Sequence, residues 1–453
     1  MDSLRILVPT PMMGYGFPIK EFERGLSYKP HAIVLDAGST DSGPQKLALG
    51  EMTCPASAYK KEMEILIPAA VKANVPLIIT SAGGDGTNEH VDLFMELAES
   101  VAKAHQLEIR IAAVYSDIPK DTVREALKKN KVSAMTNVPD LTFEDIDDVT
   151  VITAQMGAEP YINLLQSDNP PHVIIGGRTY DPAPTAAIGI MNGFDPALAW
   201  HMGKIIECGA LCAVPSGKSV IGTLYHDHFT IEPMNENSQA KPHTVAAHTM
   251  YEKSSPSILP GPGGQLLLND CAFSAVTDSV AQVSGSKFAP DTQYRIKLEG
   301  AKIVGYRSIT VMGLRDPILL SQLDDVLNYV RTEVAKALPA ESSQCTIIMH
   351  EYGRNGIMQS LESYDGPSAH EVCVIAEVTG PTQEIAQLVT NRVRTTLLHY
   401  HYPGRIATSG NIGMPFTPLE IPLGPVCAFN VYHLMDITDP IAQFPTRIKE
   451  VTL

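Results

Sequence analysis

The feature that most constrains the fold is an alternation of short apolar runs with longer amphipathic runs in the first half of the chain. The apolar runs end at turn residues and are rich in Ile, Val and Leu, which is typical of strands buried on both faces of a sheet. They lie at 5–8, 32–36, 76–80, 109–115 and 172–176. Between them, 59–74 and 88–106 have the apolar spacing of helices. This alternation predicts an α/β fold with a Rossmann-like, mostly parallel sheet.

Two changes of pattern predict three domains in the 453-residue chain. Residues 1–214 form the Rossmann-like α/β domain. Residues 215–320 carry strand-like runs and turns, which indicate a β-rich segment. Residues 321–453 return to an α/β pattern, with a helix followed by strands and a second helix.

Composition and charge exclude several classes of protein. The formal net charge is −16 and no basic cluster occurs, so neither nucleic acid nor an anionic membrane is expected as a partner. No apolar run is long enough to span a membrane, and the first residues read as a strand rather than a signal peptide. The seven cysteines are scattered without a CxxC pair, as in proteins with reduced thiols. A cytoplasmic protein is expected, and a symmetric homo-oligomer on general grounds.

Ligands of parallel α/β sheets bind beyond the carboxyl ends of the strands, so the loop at 35–44 is the first candidate site. Ser39 and Thr40 add donors to a glycine-rich turn suited to an anion. Asp36 and Asp41 are candidates for acid–base catalysis or for holding a divalent cation. The alternative is a polar turn that caps a helix.

A second glycine-rich loop follows the next strand, at 79–90. Ser81, Gly83 and Gly84 suit a close approach of the backbone to a ligand at a helix N-terminus. Neither this loop nor the first has the fingerprint of a nucleotide-binding loop. No nicotinamide or flavin cofactor is therefore expected.

The third candidate is the loop at 174–184. Arg178 is the natural clamp for a carboxylate or phosphate, and Asp181 follows it closely. A structural Arg–Asp pair is the alternative. Glu207, near the end of the next predicted helix, is a candidate for the same cleft, although a solvated pair with Lys204 explains it equally well.

Histidines suggest a metal site at 224–229. In a strand, His226 and His228 project to one face and Asp227 to the other. Imidazole at this spacing suits zinc, iron or manganese, but such pairs are often ordinary surface or core residues. Farther along, Arg354 lies in a polar, glycine-rich loop of the kind that covers a site or forms a subunit contact.

These motifs, taken in order, resemble a known family. The motifs are LDAGSTDSGP, ITSAGGDG, AQMGAEPYI, GGRTYDPA, HMGKIIECGALCA, AAHTMYEK, KLEGAKIVGYRSI and YGRNG. The chain is similar to the acyclic terpene utilization (AtuA-like) family, some members of which are labelled methylaspartate ammonia-lyase. The resemblance implies a role in the catabolism of branched carboxylates or their coenzyme A esters. It also implies a small partner domain in some members, which this chain ends near or absorbs at 429–440.

The resemblance supports most of the candidate residues one by one. They are Asp36, Ser39, Thr40, Asp41, Gly83, Gly84, Arg178, Asp181, Glu207, Asp227 and His228. His226 departs from the residue expected in relatives, which moves the metal prediction to Asp227 with His228.

The function predicted from these residues is that of a lyase, specifically a hydro-lyase, acting on a small carboxylate or its coenzyme A thioester. The predicted catalytic residues are Asp36, Asp41, Asp181 and Glu207. The predicted substrate-binding residues are Ser39, Thr40, Ser81, Gly83, Gly84, Arg178 and Arg354. A divalent metal (Mg, Mn or Zn) is the candidate cofactor. The alternatives are a hydrolase- or ligase-like enzyme that binds a phosphate-bearing acyl cofactor, and a non-catalytic subunit.

Overall fold

The chain forms two compact units in its computed structural model, which describes residues 1–364, 366, 369–406, 408–415 and 417–452. The first unit combines Met1–Lys302 with Phe429–Leu453, and the second is Ile303–Ala428. Two long strands, β15 (Arg295–Leu314) and β18 (Ile421–Asp436), have residues in both units.

The remaining strands of the first unit are β1 (Leu4–Val8), β2 (Ala32–Asp36), β3 (Leu77–Thr80), β4 (Ile109–Val114), β5 (Val132–Ala134), β6 (Ile152–Gln155), β7 (Val173–Gly176), β8 (Val220–Leu224), β9 (His228–Pro233), β10 (Ile258–Gly261), β11 (Gly264–Leu267), β12 (Ala272–Ala275), β13 (Ala281–Ser284), β14 (Lys287–Pro290) and β19 (Thr446–Val451). Its helices are α1 (Ile19–Ser27), α2 (Pro44–Leu49), α3 (Ala56–Ala73), α4 (Asn88–Ala104), α5 (Lys120–Lys128), α6 (Phe143–Asp148), α7 (Glu159–Leu165), α8 (Ala183–Met191), α9 (Pro196–Ile206) and α10 (Pro242–Thr249).

The core of the first unit is a large sheet with the strand order β12-β13-β9-β8-β1-β2-β3-β7-β4-β19. The central strands β1, β2, β3, β7 and β4 pair in parallel. In register, Asp36 lies opposite Thr80 at the ends of β2 and β3, and Val114 lies opposite Gly176 at the ends of β4 and β7. The loops that leave these strands therefore begin side by side at one edge of the sheet.

Helices cover both faces of this sheet because its strands are apolar on both sides. Within β1, the side chains of Ile6 and Val8 enter one buried cluster, which also includes residues of α8 and α9. The side chain of Leu7 points to the other face and packs in a second cluster with residues of α3 and α4. Alternation along a strand produces this division. The predicted α/β class is confirmed.

The sheet is mixed rather than mostly parallel. β8 pairs antiparallel with β1, β9 with β8, β13 with β9 and β12 with β13. The strands expected to begin a separate β-rich domain at residue 215 thus continue the first sheet. A hairpin needs only a short turn to add antiparallel strands to an open edge, so the change of sequence pattern accompanies a change of strand direction.

Three further strand pairings belong to the first unit. The first part of β15 pairs antiparallel with β6, with Lys297 opposite Gln155 and Glu299 opposite Thr153. The end of β18 pairs with β5, where His433 lies opposite Ala134. β19 pairs antiparallel with β4 at the sheet edge.

The second unit is a smaller α/β assembly. β17 (Val372–Gly380) lies between β16 (Thr346–Tyr352) and the later part of β15, antiparallel to both. Buried and half-buried residues alternate along β17, as expected for a strand with one face on a core. That core includes residues of α12 (Leu323–Ala337) and α14 (Gln383–Leu398). The short helices α11 (Pro317–Leu320) and α13 (Pro339–Ser342) precede and follow α12. Among the described residues, no helix combines the length and the apolar composition that crossing a bilayer requires.

Candidate functional site

A cavity of about 970 Å³ lies at the carboxyl ends of the parallel strands of the first unit. Its wall includes residues of the loop after β2 and of the loop after β7, together with the end of α9, the segment after α10 and the first part of β15. The basic residues of the wall are Arg178, Lys204, Lys253 and Lys297. The acidic residues of the wall are Asp41, Asp140, Asp145, Asp181, Glu207 and Glu252. Because cations and carboxyl groups meet in this one cavity, it is the candidate functional site.

Arg178 anchors the β7 loop (Gly177–Asp181). Its side chain is only 2% exposed. Nε donates to Glu299 Oε2 at 2.8 Å, and Nη1 donates to the carbonyl oxygen of Thr179 at 2.9 Å and to Asp181 Oδ1 at 3.2 Å. A buried guanidinium requires such partners, since an unpaired one is very costly. Arg178 is therefore held by the protein itself.

Glu299 connects Arg178 to a second cation of the wall. Its Oε1 lies 2.6 Å from Lys297 Nζ, and Thr40 Oγ1 donates to its Oε2 at 3.0 Å. Burial alone would raise the pKa of Glu299, but the charges of Arg178 and Lys297 lower it to about 2. Glu299 is thus ionised, and it joins the loops after β2 and β7 through β15.

The β3 loop (Ser81–Gly86) supports the β7 loop through its backbone. Ser81 N donates to the carbonyl oxygen of Gly177 at 3.0 Å, and Arg178 N donates to that of Gly86 at 3.1 Å. Ser116, after β4, bridges the two loops: its hydroxyl donates to the Gly86 carbonyl and accepts from Arg178 N, both at 2.7 Å. Neighbouring loops therefore fix the position of the Arg178 backbone.

Glu207 and Lys204 form a buried ion pair at the end of α9. Glu207 Oε1 lies 2.5 Å from Lys204 Nζ, and the side chains are 6% and 5% exposed. Glu207 Oε2 is buried without a hydrogen-bond partner among the described residues. Burial raises the pKa of Glu207 to about 7; the charge of Lys204 opposes this rise and that of Asp181 adds to it. A carboxyl group with this pKa exchanges protons readily near neutral pH.

Two further carboxyl groups near the cavity have raised pKa values. Burial, with the added charge of Asp181, raises the pKa of Asp36 well above its usual range. Asp36 accepts hydrogen bonds from Thr80 Oγ1 at 2.8 Å and from Gly38 N at 3.2 Å. Burial also raises the pKa of Asp181, against the opposing charge of Arg178. Asp181 lines the cavity, whereas Asp36 is not one of the residues of its wall.

The comparison with protein families connects this geometry to a known group. Residues 33–219 match the model of the acyclic terpene utilisation family protein AtuA. This segment is AtuA-like. The predicted resemblance is therefore confirmed over a stretch that contains the β3 and β7 loops and Glu207. Neither the curated proteins nor the solved structures yielded a match to the chain.

The AtuA-like segment supplies only part of the cavity. Thr40, Asp41, Arg178, Asp181 and Glu207 lie within it. Lys253, Lys297 and Tyr432 of the wall lie beyond residue 219. The family match thus covers the strand-end loops, and later parts of the chain complete the wall.

The loop after β2 brings two of the predicted residues to the cavity. Thr40 and Asp41 line it. Ser39 Oγ accepts from Asp41 N at 3.2 Å and donates to Asp41 Oδ2 at 3.0 Å. Ser39 is therefore the N-cap of the short 3-10 turn Thr40–Ser42, which is the arrangement expected from the alternative interpretation of this loop.

The glycines of the β3 loop face protein rather than the cavity. Gly83 and Gly84 have positive φ angles, and a Cβ atom on Gly83 would lie 2.7 Å from the His90 ring. On Gly84 it would lie 2.1 Å from Thr53 Oγ1. Neither Gly83 nor Gly84 lines the cavity, and the Ser81 hydroxyl accepts from Arg178 Nη1 at 3.4 Å. Packing within the protein accounts for these glycines.

Asp227 and His228 form a pair at the turn between β8 and β9. Asp227 Oδ1 lies 2.6 Å from His228 Nδ1, the Asp227 side chain is 88% exposed, and the His228 ring stacks on Tyr225. Neither residue lines the cavity. Within the described part of the chain, no group of three or more His, Cys, Asp or Glu residues is arranged to hold a metal ion. The metal site stays a prediction.

Arg354 belongs to the second unit. It lies 2.5 Å from Asp324 Oδ2 and 3.5 Å from Glu351 Oε2, and it lines a cavity of about 700 Å³ formed by residues of that unit. Its predicted role in substrate binding stays a prediction.

Three residues of the site were not singled out from the sequence as catalytic or binding residues. Lys297 and Glu299 stand two positions apart in the strand β15, so both project to the same face. Two opposite charges on one face of a predicted strand were the sequence signal that could have indicated this buried ion pair. Lys253 follows α10 in a segment that carries no periodic pattern, so its place in the wall depends on the tertiary fold.

Proposed function

We propose that the cavity of the first unit is the active site of a lyase that acts on a carboxylate or its coenzyme A thioester by acid–base catalysis. The observation that carries the proposal is the buried pair of Glu207 and Lys204, in the cavity wall beside Lys253. A carboxyl group with a pKa near neutrality, next to cations in a cleft, suits removal of a proton from a carbon adjacent to a carboxylate or thioester.

The charges of the wall support a division of roles. Arg178 and Lys297 are already paired with Glu299, so they organise the site. Lys204 is the cation placed to attract the anionic group of a ligand, because its partner Glu207 has a pKa raised to about 7 and is therefore partly neutral near that pH. Glu207 is the proposed base, and Asp181, with its raised pKa, is the proposed acid that protonates a leaving hydroxyl group.

The size of the cavity favours a thioester over a small free acid. At about 970 Å³, it lies at the upper end of the usual range for ligand pockets, roughly 300–1,000 Å³. This volume also supports the second candidate, a hydrolase- or ligase-like enzyme that binds a phosphate-bearing acyl cofactor at the same place.

We further infer that the parallel strands β1, β2, β3, β7 and β4 form a Rossmann-like platform, since their carboxyl ends carry the site.

The metal-assisted form of the reaction remains part of the proposal. Asp227 and His228, which lie outside the cavity wall, offer two ligands, and a Mg, Mn or Zn ion bound there would need further ligands from solvent. A homo-oligomer or a small partner subunit is compatible with the same chemistry. The metal, the homo-oligomer and the partner subunit are tested separately from the acid–base residues.

The direct test measures proton removal without requiring the full reaction. The protein is screened by thermal shift against di- and tricarboxylates and coenzyme A thioesters, with and without EDTA, and its metal content is measured. Ligands that stabilise it are then incubated in D₂O, and loss of the α-proton signal is followed by NMR. We expect Glu207→Gln to slow this exchange by about 10²–10⁴-fold.

The matched control is Glu236→Gln, which makes the same chemical change at an exposed position away from the cavity wall. It should exchange at the wild-type rate. Exchange at the full rate in Glu207→Gln would remove Glu207 from the mechanism. The absence of a stabilising acid or thioester would contradict the proposed site.

A further inference from the structure

Lys253 differs from the other lysines that line the cavity. Lys204 is paired with Glu207, and Lys297 is paired with Glu299. Lys253 has no hydrogen bond or ion pair among the described residues. Its Nζ lies 5.6 Å from the centre of the Tyr180 ring. The wall of the cavity therefore contains one lysine whose amino group is not engaged by a carboxylate of the described chain.

The surroundings of Lys253 lower its pKa. Burial is the main cause and the positive charge of Lys204 adds to it, against the opposing charges of Glu207, Asp181 and Glu252. Lys204 itself is affected in the opposite direction: burial lowers its pKa, but the Glu207 carboxylate more than compensates, so its pKa is raised. One lysine is thus held as a cation, and its charge helps to deprotonate the other. A desolvated lysine next to another cation is the arrangement that activates an amine as a nucleophile.

We propose that Lys253 forms an imine with the carbonyl group of an oxo acid, or of its thioester, bound in the cavity. This inference rests on the proposed function, because it uses the same cavity and the same acid–base residue. It adds a substrate class, 2-oxo or 3-oxo acids, and a covalent intermediate. Lys204 attracts the carboxylate of such a substrate, while Lys253 reaches its carbonyl carbon.

The chemical step balances with the groups present. The neutral Nζ of Lys253 bonds to the carbonyl carbon, and the displaced electron pair moves to the oxygen, which takes a proton from the Glu207 carboxyl group. The Glu207 carboxylate then removes a proton from nitrogen and returns it to the hydroxyl group. Water leaves as the C–N double bond forms, so that an iminium ion and the Glu207 carboxylate remain. The iminium ion withdraws electrons from the adjacent carbon and thereby assists loss of a proton or of a leaving group there.

Reductive trapping tests the inference on the intact protein. Wild-type protein is incubated near neutral pH with pyruvate, 2-oxoglutarate or acetoacetate and with sodium cyanoborohydride, and peptide mapping by mass spectrometry then locates the reduced adduct. A lowered pKa increases the neutral fraction of a lysine, so we expect most of the adduct on Lys253 rather than on surface lysines.

Two variants accompany the wild type. Lys253→Arg keeps the positive charge but removes the amine, so site-specific labelling should disappear while the melting temperature stays close to that of the wild type. Lys241→Arg changes an exposed lysine before α10 and should label like the wild type. Even if Lys253→Arg fails to fold, the wild-type peptide map shows whether the adduct is on Lys253.

The outcomes separate this inference from the proposed function. Malonate and citrate carry carboxylates without a ketone, and their binding is measured in parallel by thermal shift. Binding of acids without an adduct on Lys253, or with the adduct on Lys204, overturns the imine and leaves the acid site standing. Neither binding nor labelling overturns both. An adduct confined to Lys253 supports the imine.

Discussion

The β3 loop and the β7 loop make an instructive comparison because they leave adjacent parallel strands and both are rich in glycine. The β7 loop places Arg178 and Asp181 at the cavity. The β3 loop turns its glycines toward His90 and Thr53 and provides backbone support for its neighbour. A glycine-rich strand end can thus serve either a ligand or the packing of another loop. The charged side chains, rather than the glycines, distinguish the two.

The largest expected effect comes from Arg178→Ala. Removing the guanidinium leaves Glu299 buried and without one of its two cations, so we expect a loss of about 3–5 kcal/mol in the free energy of unfolding, measured by urea denaturation. The control is Arg354→Ala, which removes a partly exposed arginine with two carboxylate partners and should cost about 0–1 kcal/mol.

A different result for Arg178→Ala would restore the role predicted from the sequence. If the variant keeps wild-type stability but no longer responds to acids or thioesters, Arg178 is a substrate clamp, and the division of the wall into organising and binding cations is wrong.

A smaller effect is expected at Gly84 of the β3 loop. Alanine there must adopt a φ of 106° and place Cβ against Thr53 Oγ1, so Gly84→Ala should lower the free energy of unfolding by about 1–3 kcal/mol. Gly43→Ala is the matched control: Gly43 has a similar φ of 109°, but a Cβ atom there would meet nothing within 4 Å. The difference between the two variants isolates the clash.

Gly84→Ala also tests whether the β3 loop contacts the ligand. The double variant Gly84→Ala with Thr53→Ala should recover the part of the loss that the clash causes, which a double-mutant cycle measures. Folded Gly84→Ala should still be stabilised by the ligands of the wild type. Loss of ligand binding at unchanged stability would show that the β3 loop contacts the ligand.

A third effect concerns pH. Burial raises the pKa of Asp117, which accepts a hydrogen bond from Asn88 N after the β3 loop, to about 7. Because this pKa is higher in the folded protein than in the unfolded chain, Asp117 stabilises the fold at low pH, and that contribution is lost as the pH rises through about 7. Since one pKa unit corresponds to about 1.4 kcal/mol, Asp117→Asn should flatten the decline in unfolding free energy between acidic and neutral pH by about 1–3 kcal/mol.

Comparing Glu207→Gln with Asp117→Asn distinguishes the cavity wall from the region of Asp117. Its carboxyl group also has a pKa of about 7, but it lies in the cavity wall. We expect it to change the pH profile of α-proton exchange, whereas Asp117→Asn leaves that profile unchanged. If Asp117→Asn shifts the exchange profile, the two carboxyl groups belong to one site.

The smallest effect is expected for Asp227→Asn. The carboxylate is exposed and outside the cavity wall, so the melting temperature and the response to ligands should match those of the wild type within error. Loss of an EDTA-sensitive stabilisation in this variant would instead establish the metal site predicted from the sequence.

Local pattern was sufficient to predict much of the first unit. The apolar runs at 5–8 and 32–36 correspond to β1 and β2, and the amphipathic runs at 59–74 and 88–106 correspond closely to α3 and α4. The period of apolar residues encodes these elements directly. The addition of β8 to β1 depends on pairing between distant segments, which no local period records.

The same distinction applies to the site. Arg178, Asp181 and Glu207 were predicted because they follow strands or end a helix in recognisable motifs. Glu299 was not, because its partner Thr40 is 259 positions earlier in the chain. The packing of His90 and Thr53 around Gly83 and Gly84 was not predicted, because sequence alone does not reveal the side chains that occupy the space around a turn.

The pairing of Arg178 with Glu299 has a consequence for how the protein is made. A ribosome completes the AtuA-like segment, residues 33–219, well before it reaches β15. Until then the nascent β7 loop carries a guanidinium whose main carboxylate partner does not yet exist. Domains tend to fold from the N-terminus as they emerge, but the β7 loop can pair Arg178 with Glu299 only after β15 has been synthesised. A fragment that stops before β15 should therefore expose the β7 loop and aggregate, even though it contains every strand of the parallel core.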